Sequence, residues 1–110
     1  MIERNRDTLK KMAITDPLTG LLNRKGFDEQ LKNVMQGDLH IHCVGIQMDI
    51  DDFKFINDMY GHVVGDAALK SLAQDMQSYF NDNSIICRNG GDEFCIILKD
   101  CSAEEAAPMI

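Results

Sequence analysis

A short glycine-containing segment between two apolar, β-prone runs is the feature that most constrains the fold of this chain. Residues 85–87 (Ile-Ile-Cys) precede the segment, and residues 94–98 (Phe-Cys-Ile-Ile-Leu) follow it. Between them, residues 89–91 (Asn-Gly-Gly) are of the types that accept the positive φ angles of a tight turn. The pattern predicts a β-hairpin whose tip is formed by residues 88–94.

Two acids, Asp92 and Glu93, directly follow the glycines of this hairpin tip. Glycine allows a bulky ligand to approach the backbone closely, and adjacent carboxylates at a turn can hold a hard cation. An ordinary solvated turn is the alternative interpretation of the same residues. The choice between the two depends on what the rest of the chain brings to the hairpin.

The composition limits the classes of protein to consider. A length of 110 residues suits one small domain with a core, and a formal net charge of −7 argues against general binding of nucleic acid or anionic membranes. No apolar stretch is long enough to span a membrane, and the first residues do not form a signal peptide. We therefore expect no nucleic acid partner and no membrane contact by this segment.

The cysteines include no C-x-x-C pair, and Cys43, Cys87 and Cys95 fall in predicted strands. A reduced cytoplasmic protein with cysteines in its core is the expectation, ahead of disulfides or zinc. The local cluster of His40, His42 and Cys43 is an alternative metal site, although alternating histidines that enter a strand usually only share a face.

Helical periodicity is strongest in two segments. Asn23 is a natural cap for the first helix, which ends at Gly37. Its apolar stripe consists of Phe27, Leu31, Val34 and Met35. A short helix over residues 53–58 is followed by a break near Gly61 and then by a longer helix, for which Asp66 is the expected cap. The apolar face of this longer helix consists of Leu69, Leu72, Ala73, Met76 and Phe80.

The order of the elements predicts how the strands are arranged. A right-handed crossover makes the strand over residues 41–50 parallel to the strand over residues 85–88. The third strand, which starts near Glu93, is then expected between them and antiparallel to both. This topology brings Asp49 and Asp92 to one rim of the sheet. Two carboxylates and a strand-end carbonyl suit Mg²⁺, which completes its shell with water and substrate phosphates.

Four segments carry a resemblance to a known family. They are residues 16–24 (DPLTGLLNR), 49–58 (DIDDFKFIND), 61–66 (GHVVGD) and 88–94 (RNGGDEF). In this order and spacing, the segments resemble the GGDEF domain of bacterial diguanylate cyclases. The resemblance implies an α+β fold with a ferredoxin-like, nucleotide-cyclase palm-type sheet that contains antiparallel strands and is flanked by helices. Residues 13–110 would then be the N-terminal two-thirds of a GGDEF domain, truncated at its C-terminus, and residues 1–12 the end of an upstream signalling helix.

The resemblance also implies a chemistry, in which two GTP molecules condense into cyclic di-GMP and release two pyrophosphates. Each domain would bind one GTP, so catalysis would need a homodimer. Mg²⁺, with Mn²⁺ as the alternative ion, would be held by the carboxylates of Asp49 and Asp92 and by the carbonyl oxygen of Ile50. Asp92 would also assist loss of the 3′-hydroxyl proton, and Glu93 would act beside it or as a further metal partner.

The substrate contacts follow from the same resemblance. Asn57 and Asp66 would read the guanine edge, since an amide and a carboxylate can pair with its O6 acceptor and its N1/N2 donors. The start of the short helix would face the phosphates. His62 is either close to the substrate or a turn-stabilising histidine. The full substrate-binding set is Phe53, Lys54, Asn57, His62, Asp66, Gly90 and Gly91.

We therefore expect the full-length protein to be a diguanylate cyclase, which is a nucleotidyltransferase, and to act as the output of an upstream sensor domain. The domain is expected in the cytoplasm, and on the cytoplasmic side of the membrane if the full-length protein is membrane-anchored. The resemblance also implies that the basic residues that bind the terminal phosphates in the family are absent from this chain. We therefore expect the fragment by itself to catalyse the reaction poorly or not at all. A non-catalytic GTP-binding GGDEF module and a plain interaction domain are the alternatives.

Overall fold

The computed structural model describes residues 9–37, 43–80, 84–99 and 102–109. A helix α1 covers residues 9–14. The elements that follow are α2 (Arg24–Gly37), β1 (Cys43–Asp49), α3 (Phe53–Tyr60), α4 (His62–Tyr79), β2 (Ser84–Gly90), β3 (Glu93–Lys99), α5 (Ala103–Ala106) and a 3₁₀ turn (Ala107–Met109). The predicted N-terminal segment of the signalling helix and the His40 and His42 cluster lie outside the described residues.

The sheet has the strand order β1-β3-β2, and β3 is antiparallel to both of its neighbours. The predicted insertion of the third strand between two parallel strands is therefore confirmed. The tight hairpin forces β2 and β3 to run antiparallel, and the helical crossover from β1 to β2 returns the chain to the same end of the sheet. As a result, the end of β1 and the hairpin turn lie on one rim.

The two faces of the sheet carry two hydrophobic clusters, as the period-two alternation of strand side chains requires. On one face, Phe94 and Ile96 of β3 are fully buried together with Leu69 of α4. On the other face, Ile85 and Cys87 of β2 pack with residues of α2. Full burial of a side chain such as Phe94 contributes roughly 2–3 kcal/mol, so these clusters hold β3 firmly in the centre.

Helix α2 follows the prediction at its start and departs from it at one position. The Asn23 side-chain oxygen accepts a hydrogen bond of 2.9 Å from the Gly26 N–H, which is the expected cap. Phe27 is buried, but Met35 is 60% exposed, so its placement in the core stripe is wrong. At 100° per residue, Met35 lies about 80° around the helix from Phe27, and the contact between α2 and the sheet is narrower than that.

The start of α4 also differs from the prediction. The helix begins at His62 rather than beside Asp66, and Asp66 lies inside it. The break is made by Gly61 alone, whose φ of 87° and ψ of 165° are accessible to glycine at little cost. The capping preference of Asp66 is therefore not used, although the predicted apolar face of α4 is confirmed by buried Leu69, Ala73 and Met76.

The last described residues form a short capped helix that ends at a proline-containing turn. The Ser102 hydroxyl accepts a hydrogen bond of 3.2 Å from the Glu105 N–H and caps α5. The α-helix then ends at Ala106 and continues as a 3₁₀ turn around Pro108, because proline cannot continue the α-helical hydrogen-bond ladder. Within the described ranges, no helix is long and apolar enough to cross a membrane.

Candidate functional site

An acidic rim is formed where β1 ends and β3 begins. Asp49 is the last residue of β1, and its direct partner across the antiparallel ladder is Glu93, the first residue of β3. Asp92 precedes Glu93 in the hairpin turn. Asp49 and Glu93 are exposed, whereas Asp92 is half-buried. The predicted convergence of Asp49 with the hairpin acids is thus what the backbone pairing produces, because paired Cα atoms lie about 4.5–5.5 Å apart.

The hairpin turn itself depends on its glycines. Gly90 has a φ of 115° and Gly91 a φ of 53°, and a Cβ atom at either position would meet no atom within 4 Å. The pairing shifts between Arg88 and Gly90, so Asn89 is the extra residue of a bulge. The expectation that Asn89 also takes a positive φ is wrong, since Asp52 is the only such non-glycine in the described chain. The turn therefore presents open backbone to a ligand.

Arg88 ties this turn to a distant part of the chain. Its Nε and Nη2 donate hydrogen bonds of 3.0 and 2.8 Å to the Gly91 carbonyl oxygen. Its Nη1 lies 2.9 Å from Oδ1 of Asp16, 72 residues away in sequence, and both side chains are only 14% exposed. The guanidinium thus links the loop that begins at Asp16 to the tip of the hairpin.

The environment of Asp16 favours its charged form. Burial raises the pKa of this carboxyl, but hydrogen bonds from the Thr19 side chain and backbone, together with the charge of Arg88, outweigh burial and hold the pKa below its usual value. The Thr19 bonds to Oδ2 measure 2.7 Å from the hydroxyl and 2.9 Å from the N–H. Asp16 is therefore a fixed negative partner for Arg88 at neutral pH.

The chain passes from the acidic rim into α3 through an unusual residue. Asp52, at the N-cap of α3, has φ 56° and ψ 30°, a left-handed conformation that non-glycine residues seldom adopt, and its side chain makes no capping hydrogen bond. The first N–H groups of a helix lack intrahelical partners and form an anion-binding position. The Phe53 side chain packs against the core, while Lys54 is exposed, so Lys54 and the backbone are the groups left for a ligand here.

A second group of predicted residues meets between α3 and α4. Asn57 is half-buried, and its Oδ1 is buried without a hydrogen-bond partner in the described structure. Gly65 packs against this amide, and Asp66 comes directly after Gly65. His62 and Asp66 are both exposed. The structure thus places Asn57 beside the segment that carries Asp66, while His62 lies at the start of the same helix.

The donor set of the rim fits a hard divalent cation. Among the described residues, neither Asp49 nor Asp92 forms an ion pair with a basic side chain. The described chain holds no group of three or more His, Cys, Asp or Glu side chains placed to hold a metal ion. Two carboxylates with open positions are instead the arrangement typical of Mg²⁺, which retains water and recruits phosphate oxygens.

Two structural roles at the site were not predicted from the sequence. The sequence places Arg88 and Asp16 only in two separate motifs, because a contact over 72 residues leaves no local pattern. Gly65 directly precedes Asp66, the expected cap, and the sequence alone indicates no further role for it. Its burial in the first turns of an otherwise exposed helix start becomes visible only when α3 and α4 are packed together.

Comparison with known proteins identifies the family. The family model described as "Diguanylate cyclase, GGDEF domain" matches residues 13–110. The chain therefore belongs to the GGDEF domain family, and its α+β fold is the one that solved GGDEF domains share.

Individual relatives agree with this assignment. The chain is 36% identical over 110 residues to the probable diguanylate cyclase DgcE of Escherichia coli, covering 96% of this chain and 10% of DgcE. It is 42% identical over 95 residues to the diguanylate cyclase DgcZ of the same organism, covering 83% of this chain and 31% of DgcZ. The chain thus spans less than a third of either relative.

A solved structure gives the same result in three dimensions. The coiled coil and GGDEF domain of DgcB from Caulobacter crescentus, solved in complex with c-di-GMP, superposes with a TM-score of 0.83 at 32% identity. The match covers 98% of this chain and 59% of the DgcB chain.

Proposed function

We propose that this chain supplies a GTP-binding half-site of a diguanylate cyclase, an enzyme that joins two GTP molecules into cyclic di-GMP and releases two pyrophosphates. The observation that carries the proposal is the pairing of Asp49 with Glu93, which brings the end of β1 to the hairpin acids and to the open backbone of Gly90 and Gly91. Relatives named diguanylate cyclases support the reaction.

The proposed ion at the rim is Mg²⁺, with Mn²⁺ as an alternative. The carboxylates of Asp49 and Asp92 and the carbonyl oxygen of Ile50 would hold it. When bound, such an ion neutralises phosphate charge and stabilises the charge that develops during phosphoryl transfer. The oxygen-only donor set and the absence of basic partners for these acids in the described chain support this assignment.

The other residues of the proposed site would bind the phosphates and the guanine and accept a proton from the substrate. Lys54 and the free N–H groups at the start of α3 would bind the phosphates. Asn57 and Asp66 would hold the guanine, with His62 exposed nearby on the same helix as Asp66. Asp92 would accept the proton of the attacking 3′-hydroxyl.

In this proposal Glu93, on the exposed side of the rim, supports Asp92. Asp92 is half-buried and lies two residues before the fully buried Phe94, which would limit the orientations of its carboxylate.

The reaction also sets requirements on assembly. One half-site holds one GTP, so the 3′-oxygen of each GTP has to reach the α-phosphorus of the GTP on another copy, and catalysis would require a homodimer. We propose a cytoplasmic site of action, where GTP is available, and control by a sensor region elsewhere in the full-length protein. The free state of Cys43, Cys87 and Cys95 is compatible with a reducing compartment.

The test is Mg²⁺-dependent GTP binding by calorimetry, with Asp49→Asn as the test variant and Asp75→Asn as the matched control. Both aspartates are exposed, and Asp75 lies in the C-terminal half of α4, outside the set of residues proposed to bind the ion or the nucleotide. We expect Asp49→Asn to weaken binding at least about tenfold and Asp75→Asn to leave it unchanged. Equal binding by all three proteins would show that the rim holds no metal.

A second measurement addresses catalysis. Chromatographic detection of cyclic di-GMP from GTP and Mg²⁺, with the full-length protein, is expected to show product that disappears in the Asp49→Asn variant. GTP binding without any product, in a full-length protein held as a dimer, would instead assign a regulatory GTP-binding module.

A further inference from the structure

Gly65 occupies a position in α4 where a glycine is not expected. It is the first of the buried residues Gly65, Leu69, Ala73 and Met76, which form one face of the helix. Glycine is a poor helix former, and alanine, which fills the same face at position 73, would favour the helix. The burial pattern of the helix therefore favours a small apolar side chain such as alanine at position 65, and the presence of glycine there must have another cause.

The reason lies in the packing of α3 against α4. A Cβ atom at position 65 would overlap Oδ1 of Asn57, would lie 2.9 Å from Asn57 Cγ, and would approach Phe53 Cζ to 3.4 Å. Phe53 is half-buried and packs against the core. The space that a methyl group would fill at position 65 is thus the space that holds the Asn57 amide.

The amide gains no hydrogen bond from this position. Asn57 Oδ1 is buried without a partner in the described structure, and a buried unpaired acceptor is destabilising. Fold stability therefore does not explain why the amide lies here. With Oδ1 against the helix backbone at Gly65, the Nδ2 group is the part of the amide left to donate to a ligand.

We propose that Gly65 is a positioning residue for base selection: its missing side chain lets the Asn57 amide lie flat against α4, so that Nδ2 donates to a purine with a carbonyl oxygen at C6. Adenine carries an amino donor at that place and would be rejected. The proposal rests on the proposed function, since it assumes that Asn57 faces the base of a bound nucleotide. Asp66, which follows Gly65, would accept from the donors on the same base edge.

The test is a double-mutant cycle in the full-length protein, with GTP and ATP as the probes in the presence of Mg²⁺. Gly65→Ala is expected to weaken GTP binding about tenfold, the loss of one well-placed hydrogen bond, and to leave the weaker ATP binding unchanged. Asn57→Ala is expected to do the same. The double variant is expected to be no worse than either single variant, because both changes remove the same contact.

A matched control separates this role from a general effect on the helix. Ser71→Ala also introduces alanine into α4, at an exposed position on another turn, and is expected to leave the ratio of GTP to ATP affinity unchanged. The side-chain amide resonances of Asn57 in a ¹H–¹⁵N spectrum are expected to shift in Gly65→Ala and to stay in place in Ser71→Ala. A purely structural role for Gly65 would not alter base selection.

Each outcome decides the matter. If Gly65→Ala keeps the wild-type GTP to ATP ratio while Asn57→Ala loses it, the inference is overturned and the proposed function stands. If the wild-type protein binds no GTP, the proposed function itself fails. Should Gly65→Ala not fold, folding of Gly65→Ala/Asn57→Ala would confirm that the methyl group and the amide compete for one space, and failure of the double variant would overturn the inference.

Discussion

The ion pair between Arg88 and Asp16 gives the sharpest prediction about stability. We expect the Arg88→Gln and Asp16→Asn substitutions to be strongly coupled in a double-mutant cycle. At an N–O distance of 2.9 Å, an effective dielectric constant of about 20 corresponds to a gross attraction of about 6 kcal/mol. Desolvation of the two charges offsets much of this attraction.

The expected net value follows from the exposure of the pair. Exposed ion pairs contribute about 0.2–1 kcal/mol, and removal of one partner from a fully buried pair costs about 3–5 kcal/mol. With both side chains 14% exposed, Arg88 and Asp16 lie between these limits, and we expect a coupling free energy of about 2 kcal/mol. Urea unfolding followed by circular dichroism measures the free energy of unfolding for the four proteins of the cycle.

The chain contains its own control pair. Arg24 and Asp28 lie 3.1 Å apart on α2, but their side chains are 62% and 57% exposed. The same cycle with Arg24→Gln and Asp28→Asn is expected to give about 0.4 kcal/mol, the value of an exposed helical pair. A coupling for Arg88 and Asp16 that is no larger than this control would refute the reasoning from burial.

The pH dependence has a defined sign. Because the folded pKa of Asp16 lies below its unfolded value of 3.8, its stabilising contribution is complete above pH 3.8 and is lost as the pH falls through the lower folded pKa. The coupling between Arg88 and Asp16 is therefore expected to persist at pH 5 and to shrink in the acid range. A coupling that stays constant down to the most acidic pH at which the protein folds would contradict the assignment of charge to Asp16.

Two further predictions concern the hairpin. Gly90→Ala should lower the free energy of unfolding, measured in urea, by about 1–2 kcal/mol, which is a larger loss than that expected for Gly91→Asn. Neither site is crowded, but a φ of 115° at position 90 suits only glycine, whereas a φ of 53° at position 91 is tolerated by asparagine. Equal losses would show that backbone strain is not the cause. Burial, followed by the neighbouring Cys95, raises the pKa of the Cys87 thiol to about 11, so iodoacetamide at pH 8 should alkylate Cys87 far more slowly than the partly exposed Cys95. Mass spectrometry of the two peptides measures this, and equal rates would argue that β2 opens readily.

The sheet was predictable because its determinants are local and periodic. The glycines of the hairpin fix the antiparallel pairing of β2 and β3, and alternation assigns residues such as Phe94 and Ile96 to one face. The handedness of the crossover then leaves only the central position for β3. The juxtaposition of Asp49 with the hairpin acids follows from these rules without any knowledge of side-chain contacts.

The features that were not predicted depend on competition between local structural preferences, and the sequence does not show which preference is stronger. Asp66 is a good cap, yet α4 already begins at His62, directly after Gly61 with its positive φ, so the helix runs through Asp66. Met35 fits a helical stripe whose usable width is set by the sheet rather than by α2. The contacts of Arg88 with Asp16 join segments that only tertiary packing brings together.

These contacts bear on the acidic rim, because they fix the turn from both of its ends. Phe94 is fully buried immediately after Glu93, and Arg88 holds the Gly91 carbonyl from the other strand. The turn that carries Asp92 is therefore held in place, and in the described chain no basic side chain pairs with Asp49 or Asp92. A rigid rim with uncompensated charge favours a cation. It follows that Mg²⁺ should stabilise the folded protein, and that Arg88→Gln should weaken this effect by loosening the turn.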